Sequence, residues 1–186
     1  MTKRQAVICL LMMFSGALVL LFAGHWLSRT PGGIRILAAK LKGGTILDTT
    51  GVEFQKRQND CGPACLRMVA KAHGVNLPWD RDPRDLKRSM ADLARTCKQA
   101  GLRAKAWRLR TEDLNQARKP LVAFVSGNHF VVVDEASKER VIIRDPALGR
   151  IAYRPEIFNR MWRGEVLFIE PPGIQDSESF GPSLSR

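Results

Sequence analysis

Acidic residues are scarce in this chain of 186 residues, which has 18 Asp and Glu against 30 Lys and Arg. The resulting net charge of +12 favours anionic partners such as lipid headgroups, nucleic acid or an acidic peptide. The basic residues are spread along the chain, and the sequence lacks helix-turn-helix, zinc-finger and RNA-recognition motifs. We therefore do not expect a nucleic-acid partner.

Cysteines are also few, and the four that are present have no regular spacing, which excludes a disulfide framework. Cys9 lies in an apolar run, so Cys61, Cys65 and Cys97 remain for the folded part of the chain. Because their number is odd, at least one thiol is free. With a histidine added, these three cysteines match no zinc-site spacing. We predict neither a metal nor a bound cofactor.

Residues 6–27 form a long apolar run that carries no charge except a partial one at His25. Its 22 residues would span about 33 Å as a helix, which matches a hydrocarbon core of about 30 Å. A cleaved signal peptide has a shorter apolar region and a small-residue cleavage site, and no clear A-x-A site is present. Residues 1–28 therefore predict an uncleaved single-pass anchor in a bacterial inner membrane, with a cleaved signal as the alternative.

The charges beside this run give opposing indications about the side of the membrane. Two basic residues precede it, and four lie within residues 29–42, which favours a cytoplasmic domain by the positive-inside rule. A short basic start before an apolar run is, however, typical of an exported, signal-anchored protein. The side stays open, and we give the periplasmic arrangement slightly more weight.

Residues 29–49 predict a juxtamembrane linker, because they mix short apolar patches with the pairs Gly32-Gly33 and Gly43-Gly44. Self-processing at one of these pairs would release the domain, although flexible linker glycines explain them more simply. Residues 50–170 form the predicted domain, and residues 171–186 predict a disordered tail rich in Pro, Gly and Ser. The length leaves no room for a second catalytic domain.

Helix patterns come first in residues 50–170 and strand patterns later, which predicts an α+β domain with helices packed on an antiparallel sheet. Asp60 and Gly74 are start and stop signals for the first helix, and Ser89 with Asp92 resembles a capping box for the second. The predicted helices cover residues 61–73 and 89–100 and a short segment capped by Thr111; the predicted strands lie in LRAKAWRL, PLVAFVSG, HFVVVDEA, RVIIRD and GEVLFIE.

Cys61 stands at the start of the first predicted helix, where unpaired backbone N–H groups and the helix dipole stabilise a thiolate. Asp60 is expected to turn its carboxylate toward those N–H groups as an N-cap. The alternative is that Cys61 only packs, as the head of an apolar stripe that continues through Cys65 and Met68. We favour Cys61 as a nucleophile, because a side chain at the N-terminal end of a helix lies at the edge of the core. Cys65, one turn further along the helix, is predicted to be a core residue.

Among the three histidines of the chain, His129 is the sensible partner for a reactive thiol. His25 is in the membrane run and His73 is at a helix end, whereas His129 opens an apolar strand after a Gly-Asn turn. Asp145 ends the next strand, so antiparallel pairing would make it a neighbour of His129. The chain order Cys61, His129, Asp145 offers the thiol, imidazole and carboxylate that nucleophilic thiol catalysis requires.

Gln55 precedes Cys61 by six residues and lies just ahead of the helix. Its amide N–H groups could face a developing oxyanion, helped by the backbone N–H of Cys61. Gln58 is nearer in sequence and is the rival for this role.

These residues resemble the bacteriocin-processing cysteine peptidases, which are papain-like domains at the N-termini of peptide-exporting ABC transporters and remove double-glycine leader peptides. The resemblance implies a papain-like fold and cleavage after a Gly-Gly pair in a leader whose amphipathic helix docks by its apolar face. It implies that Cys61 is the nucleophile, His129 the general base, Asp145 the orienting carboxylate and Gln55 the oxyanion donor. It covers about residues 50–170, through Gln55, NDCGPACLRMVAKAHG, MADLARTCKQAG, PLVAFVSGNHFVVV and DPALG.

The chain departs from the transporter pattern because it has no room for transporter helices or an ATPase and carries its own apolar segment. The resemblance therefore implies a stand-alone, membrane-anchored peptidase with an ABC-type exporter as a separate partner. Two other functions stay open at this point: a non-catalytic docking module for an exported polypeptide, and acyl transfer on the same three residues. The sequence does not identify the substrate.

Overall fold

The computed structural model describes residues 5, 12, 15–16, 33–57, 59–77 and 89–171. The chain divides into two compact units, Met1–Ala38 and Ala39–Arg186, of which the second contains the sheet. Within the described ranges, no helix combines the length and the apolar character that a membrane span needs. The predicted membrane segment and the predicted tail lie almost wholly outside these ranges.

The described part of the chain contains five helices and seven strands. The helices are α1 (Gly33–Leu41), α2 (Cys61–Ala72), α3 (Met90–Gln99), α4 (Thr111–Gln116) and α5 (Pro155–Met161). The strands are β1 (Gly44–Asp48), β2 (Arg103–Arg108), β3 (Leu121–Val125), β4 (His129–Ala136), β5 (Val141–Asp145), β6 (Gly149–Tyr153) and β7 (Trp162–Glu170). Each helix and strand that the sequence predicts within residues 50–170 is present.

All seven strands form one sheet, in the order β1-β6-β5-β4-β3-β7-β2. Every neighbouring pair is antiparallel. Short turns join β3 to β4, β4 to β5 and β5 to β6, so these four strands form a continuous meander. The predicted α+β class with an antiparallel sheet is confirmed.

Helices α2 and α3 cover one face of the sheet with their apolar stripes. Leu66 of α2 and Leu93 of α3 are buried in one cluster with Phe130 and Val132 of β4. A Cβ atom at Gly62 would lie 2.9 Å from the Leu93 side chain, so glycine at this position allows α2 to approach α3. Close packing on the sheet therefore fixes the start of α2, where Cys61 lies.

The helix starts follow the capping signals in the sequence, with one shift. Ser89 Oγ accepts a hydrogen bond of 3.1 Å from the Asp92 N–H, which confirms the predicted capping box of α3. Thr111, the predicted cap of α4, is instead its first helical residue, and Arg110 precedes it. The physical reason is that the Asp113 carboxylate accepts hydrogen bonds from the Arg110 backbone and side chain, which moves the cap back by one residue.

Two strands and two helices have no counterpart among the predicted elements: β1, β6, α1 and α5. Helix α1 and strand β1 both lie in residues 29–49, for which the sequence predicts a linker. Strand β1 pairs with β6, so the sheet begins at Gly44 and not near Thr50, where the sequence predicts the start of the domain. A Cβ atom at Gly44 would lie 2.6 Å from Tyr153, which means that this glycine is packed against β6. Both strands are only five residues long, and neither has a strong apolar run; β1 lies at the edge of the sheet and pairs with β6.

Gly44→Ala is expected to destabilise the domain by about 1–3 kcal/mol, the usual cost of overpacking a filled site, because the new methyl group would overlap Tyr153 and Ile151. Urea unfolding followed by circular dichroism measures the change in the free energy of unfolding. Thr45→Ala, at the exposed neighbouring position, is the control and should change it by less than about 0.5 kcal/mol. Equal stability of the two variants would contradict the packing of β1 on β6.

Candidate active site

Cys61 is the first residue of α2 and is almost completely buried. Asp60 occupies the N-cap position, but its side chain makes no capping hydrogen bond, so the predicted side-chain cap is wrong. Its carboxylate accepts a hydrogen bond of 3.1 Å from the backbone N–H of Arg57, because the turn before the helix brings that donor within reach. The backbone N–H of Gly62, the next residue of α2, helps to lower the pKa of the Cys61 thiol.

His129 is the first residue of β4 and follows a tight turn. Ser126 and Gly127 both have positive φ angles, 54° and 72°, the left-handed backbone that short hairpin connections favour. The turn pairs His129 with Val125 of β3 and leaves the imidazole mostly buried at the end of the sheet. The predicted turn at Asn128 is confirmed.

Asp145 is the buried last residue of β5. Antiparallel pairing of β4 with β5 sets it beside the imidazole, and His129 Nε2 lies 2.9 Å from Asp145 Oδ1. Since an ionised carboxylate only accepts, Nε2 carries the proton of this hydrogen bond. The same oxygen accepts a hydrogen bond of 2.8 Å from the backbone N–H of Ala147, so the turn after β5 holds the carboxylate in place. The predicted proximity of His129 and Asp145 is confirmed.

Interactions between Cys61 and His129 shift the pKa of both groups toward an ion pair. Burial raises the pKa of the Cys61 thiol, but hydrogen bonds from the His129 side chain and from the backbone N–H groups of Phe130 and Gly62 outweigh it, so the pKa is below its usual 9.0. Burial acts to lower the pKa of His129, yet hydrogen bonds with Asp145 and Cys61 raise it to about 9. The site therefore favours a thiolate and an imidazolium near neutral pH.

The other two described thiols lack this environment. Cys65 is fully buried one turn further along α2, and burial raises the pKa of its thiol well above the usual value. Burial also raises the pKa of Cys97, on α3, to about 12. All three described cysteines are free thiols, in agreement with their odd number. Cys65 is part of the core, as predicted, and neither thiol competes with Cys61 for reaction.

Gln55 lies in the loop before α2 and reaches the same region. Its backbone N–H donates a hydrogen bond of 2.9 Å to the carbonyl of Pro146, directly after Asp145. Its side-chain oxygen Oε1 is buried and has no hydrogen-bond partner within the described residues. The amide is therefore not held by a structural bond through that oxygen. Gln58, the rival oxyanion donor, lies outside the described residues.

A cavity of about 250 Å³ adjoins the imidazole and the carboxylate. His129, Asp145 and Gln55 line it, whereas Cys61 does not, so it lies on the imidazole side of the site. Tyr153 contributes to its wall, and burial together with the Asp145 charge raises the pKa of that phenol to about 12. No sequence signal points to Tyr153, because it belongs to β6, which the patterns do not predict. The wall also includes Lys42, Ser126, Asn128, Phe158 and Met161.

The described residues contain no group of three or more His, Cys, Asp or Glu side chains that could hold a metal ion. The groups that the described site brings together are a thiol, an imidazole and a carboxylate. These side chains come from the start of a helix, the start of one strand and the end of the next strand.

Solved structures show the same fold. A double-glycine-motif protease from an AMS/PCAT transporter, determined in complex with the leader peptide, is 27% identical, covers 64% of this chain and 90% of its own, and has a TM-score of 0.56. The peptidase domain of Streptococcus ComA, a bifunctional ABC transporter of a quorum-sensing pathway, has a TM-score of 0.55 at 22% identity and covers 64% of this chain and 97% of its own.

Curated relatives include both short proteins and exporters. An uncharacterised protein of Methanothermobacter thermautotrophicus is 32% identical over 133 residues, which are 69% of this chain and 94% of the relative. The probable functional amyloid protease FapD of Pseudomonas fluorescens is 27% identical over 193 residues, 95% of this chain and 84% of the relative. The processing and transport protein LagD of Lactococcus lactis is 28% identical, and the match covers 72% of this chain but only 20% of the relative.

The model of the Peptidase C39 family matches residues 49–173, which include the helix that begins with Cys61 and the strands that carry His129 and Asp145. This match spans more than half of the chain and agrees with the structural similarity to the double-glycine-motif protease. The chain belongs to the Peptidase C39 family.

Proposed function

We propose that this chain is a cysteine endopeptidase that cleaves leader peptides after a Gly-Gly pair. The observation that carries the proposal is the hydrogen bond of 2.9 Å between Asp145 Oδ1 and His129 Nε2, beside a Cys61 thiol that raises the pKa of the imidazole and has its own pKa lowered by it. A neutral thiol is a poor nucleophile, and the His129 imidazole lowers the pKa of the Cys61 thiol at the start of the helix. Membership in the Peptidase C39 family supports the same reaction.

In the proposed reaction the Cys61 thiolate attacks the carbonyl carbon of the scissile peptide bond and forms a tetrahedral intermediate. The His129 imidazolium then donates its proton to the leaving amine, the C–N bond breaks, and a thioester on Cys61 remains. Neutral His129 next takes a proton from water, whose oxygen attacks the thioester. The C–S bond breaks, a carboxylic acid leaves and ionises, and the thiolate–imidazolium pair is restored.

Asp145 orients the imidazole in this scheme. Its bond with His129 Nε2 uses that nitrogen, so the other ring nitrogen, Nδ1, is the one that serves the sulfur. Gln55 is the proposed oxyanion donor, together with the backbone N–H of Cys61. Two observations support Gln55: its loop is bonded to Pro146 beside Asp145, and its side chain lines the cavity at the imidazole.

The burial of the sulfur supports a substrate with glycines at the cleavage site. Cys61 is only 6% exposed, so the peptide has to approach closely before the sulfur can reach its carbonyl carbon. Residues without a Cβ atom allow the closest approach of a backbone to a protein surface. The relatives described as processing and transport proteins support a small exported polypeptide as substrate and a separate ABC-type exporter as partner.

A second substrate class is favoured by the relative described as a probable functional amyloid protease, because that match covers most of both chains. In this version the substrate is a protein of an amyloid-exporting system rather than a small peptide. Cleavage assays that offer a double-glycine leader peptide and a purified amyloid-subunit precursor side by side discriminate between the two.

We also propose that residues 6–27 anchor the chain in the bacterial inner membrane with the peptidase on the periplasmic side, on the strength of their apolar character and basic start. A full-length fusion to alkaline phosphatase at the C-terminus should then be enzymatically active in cells, and a fluorescent-protein fusion that folds only in the cytoplasm should be dark. The reverse pair of signals would put the peptidase in the cytoplasm.

Cys61→Ala is expected to lower kcat/KM for a fluorogenic peptide ending in Gly-Gly by more than about 10³-fold, because it removes the attacking atom. Cys65→Ala is the matched control, since it removes a thiol from the same helix one turn away and should retain activity in proportion to its folded fraction.

Leader binding without any product from the unmodified protein would instead support the non-catalytic docking module. Mass spectrometry of the products shows whether water or another acceptor receives the acyl group.

The pH dependence of kcat/KM is expected to be bell-shaped. The rising limb should lie below the usual thiol pKa of 9.0, because the thiolate is stabilised, and the falling limb should lie near 9, where His129 loses its proton.

Asp145→Asn removes a charge that raises the pKa of His129, so the falling limb of this variant should move to lower pH. Alkylation of Cys61 by iodoacetamide should shift to higher pH in His129→Gln, and an unchanged alkylation profile would contradict the ion pair.

A further inference from the structure

The loop that carries Gln55, residues 49–57, is fastened at three points, and we call it the Gln55 loop. Its Gly51 carbonyl accepts a hydrogen bond of 3.0 Å from Arg144 Nη1 on β5. Glu53 forms an ion pair with Arg67 on α2. Gln55 itself is bonded through its backbone to the residue after Asp145. The loop is therefore tied both to the helix that starts with Cys61 and to the strand that ends with Asp145.

Arg144 makes the bond to the Gly51 carbonyl of the Gln55 loop. Its Nε and Nη2 atoms donate to both carboxylate oxygens of Asp134 at 2.8–3.1 Å, which uses one side of the guanidinium. Its Nη1 atom is left for the Gly51 carbonyl, 93 residues away in sequence. The Arg144 side chain is only 11% exposed, and its contact with both Asp134 oxygens holds the guanidinium fork in one orientation.

Asp134 faces Arg144 because of an irregularity in the sheet. The register between β4 and β5 shifts between Val133 and Glu135, which leaves Asp134 in a bulge. Bulges of this kind redirect a side chain that a regular strand would place elsewhere. Arg144 directly precedes Asp145, so the bulge, the fork and the catalytic carboxylate lie on the same pair of strands.

We propose that Arg144 is a positioning residue for the reaction: held by Asp134, it fixes the Gln55 loop through the Gly51 carbonyl and so sets the Gln55 amide relative to the Cys61–His129–Asp145 site. The inference rests on the proposed function, in which Gln55 stabilises the oxyanion. Arg144 touches neither substrate nor the reacting atoms in this scheme. It acts through the backbone of the loop.

Arg144→Met is expected to lower kcat for the Gly-Gly peptide by roughly 10- to 100-fold with little change in KM, because oxyanion stabilisation operates in the transition state and small displacements are costly. The loss should be absent when Arg144→Met is added to Gln55→Ala, since Arg144 then has no donor to position. Equal losses from Arg144→Met in the unmodified protein and in the Gln55→Ala variant would overturn the proposal. Arg144→Lys keeps the charge but not the fork and should recover only a small part of kcat.

Arg140→Met is the matched control. Arg140 makes the same kind of two-atom contact to a carboxylate, that of Glu135, on the same β4–β5 hairpin, but it is exposed and is not bonded to the Gln55 loop. Its removal should leave kcat and KM unchanged. A loss of kcat in Arg140→Met equal to that in Arg144→Met would mean that the hairpin is generally sensitive, and would overturn a specific role for Arg144.

Amide hydrogen exchange separates this inference from the proposed function, because it needs no substrate. Residues 51–55 should exchange faster in Arg144→Met than in the unmodified protein or in Arg140→Met. Unchanged exchange would overturn the role of Arg144 whatever the peptide assay gives. Faster exchange in Arg144→Met, together with no peptide hydrolysis by the unmodified protein, would support the role of Arg144 in holding the loop and would contradict the proposed reaction. Thermal unfolding of each variant checks that the comparison is made between folded proteins.

Discussion

The pairing of β4 with β5 is the constraint on which the rest of the site depends. In an antiparallel hairpin the start of one strand adjoins the end of the next, and this alone brings His129 to within 2.9 Å of Asp145 although 16 residues separate them. The connection is short, so little chain entropy is lost in bringing the two together. The helix that begins with Cys61 then has only to pack on the same sheet to complete the arrangement.

Packing and reactivity act in opposite directions at the sulfur. Burial among apolar side chains disfavours a thiolate, as the raised pKa values of Cys65 and Cys97 show. The pKa of Cys61 is lowered instead, because this residue lies in the first turn of the helix, close to the His129 imidazole and the backbone N–H groups of Phe130 and Gly62. One turn along the same helix therefore separates a thiol whose pKa is lowered from a core thiol whose pKa is raised.

The parts of the fold that can be predicted are those encoded by local pattern. Helix α2, the capping box of α3 and the strands around His129 and Asp145 have strong periodicity or strong end signals in the sequence. Strands β1 and β6 lack them, because each is short and β1 is held in the sheet by its pairing with β6, about 100 residues away in the sequence. The Asp60 side chain departs from its predicted capping role for a related reason, since a competing donor in the preceding turn has no signal in the sequence.

The unpredicted parts form much of the cavity beside the candidate site. Tyr153 of β6, Phe158 of α5 and Lys42 before β1 all line the cavity beside His129, and the sequence patterns identify none of them. Cys61, His129 and Asp145 are positioned by hairpin geometry and a helix start, which a short motif can encode. The cavity wall and the support of the Gln55 loop depend instead on contacts between distant segments, such as the bond from Arg144 to Gly51. Two chains can therefore share the same motif and still differ in the cavity and the loop that surround it.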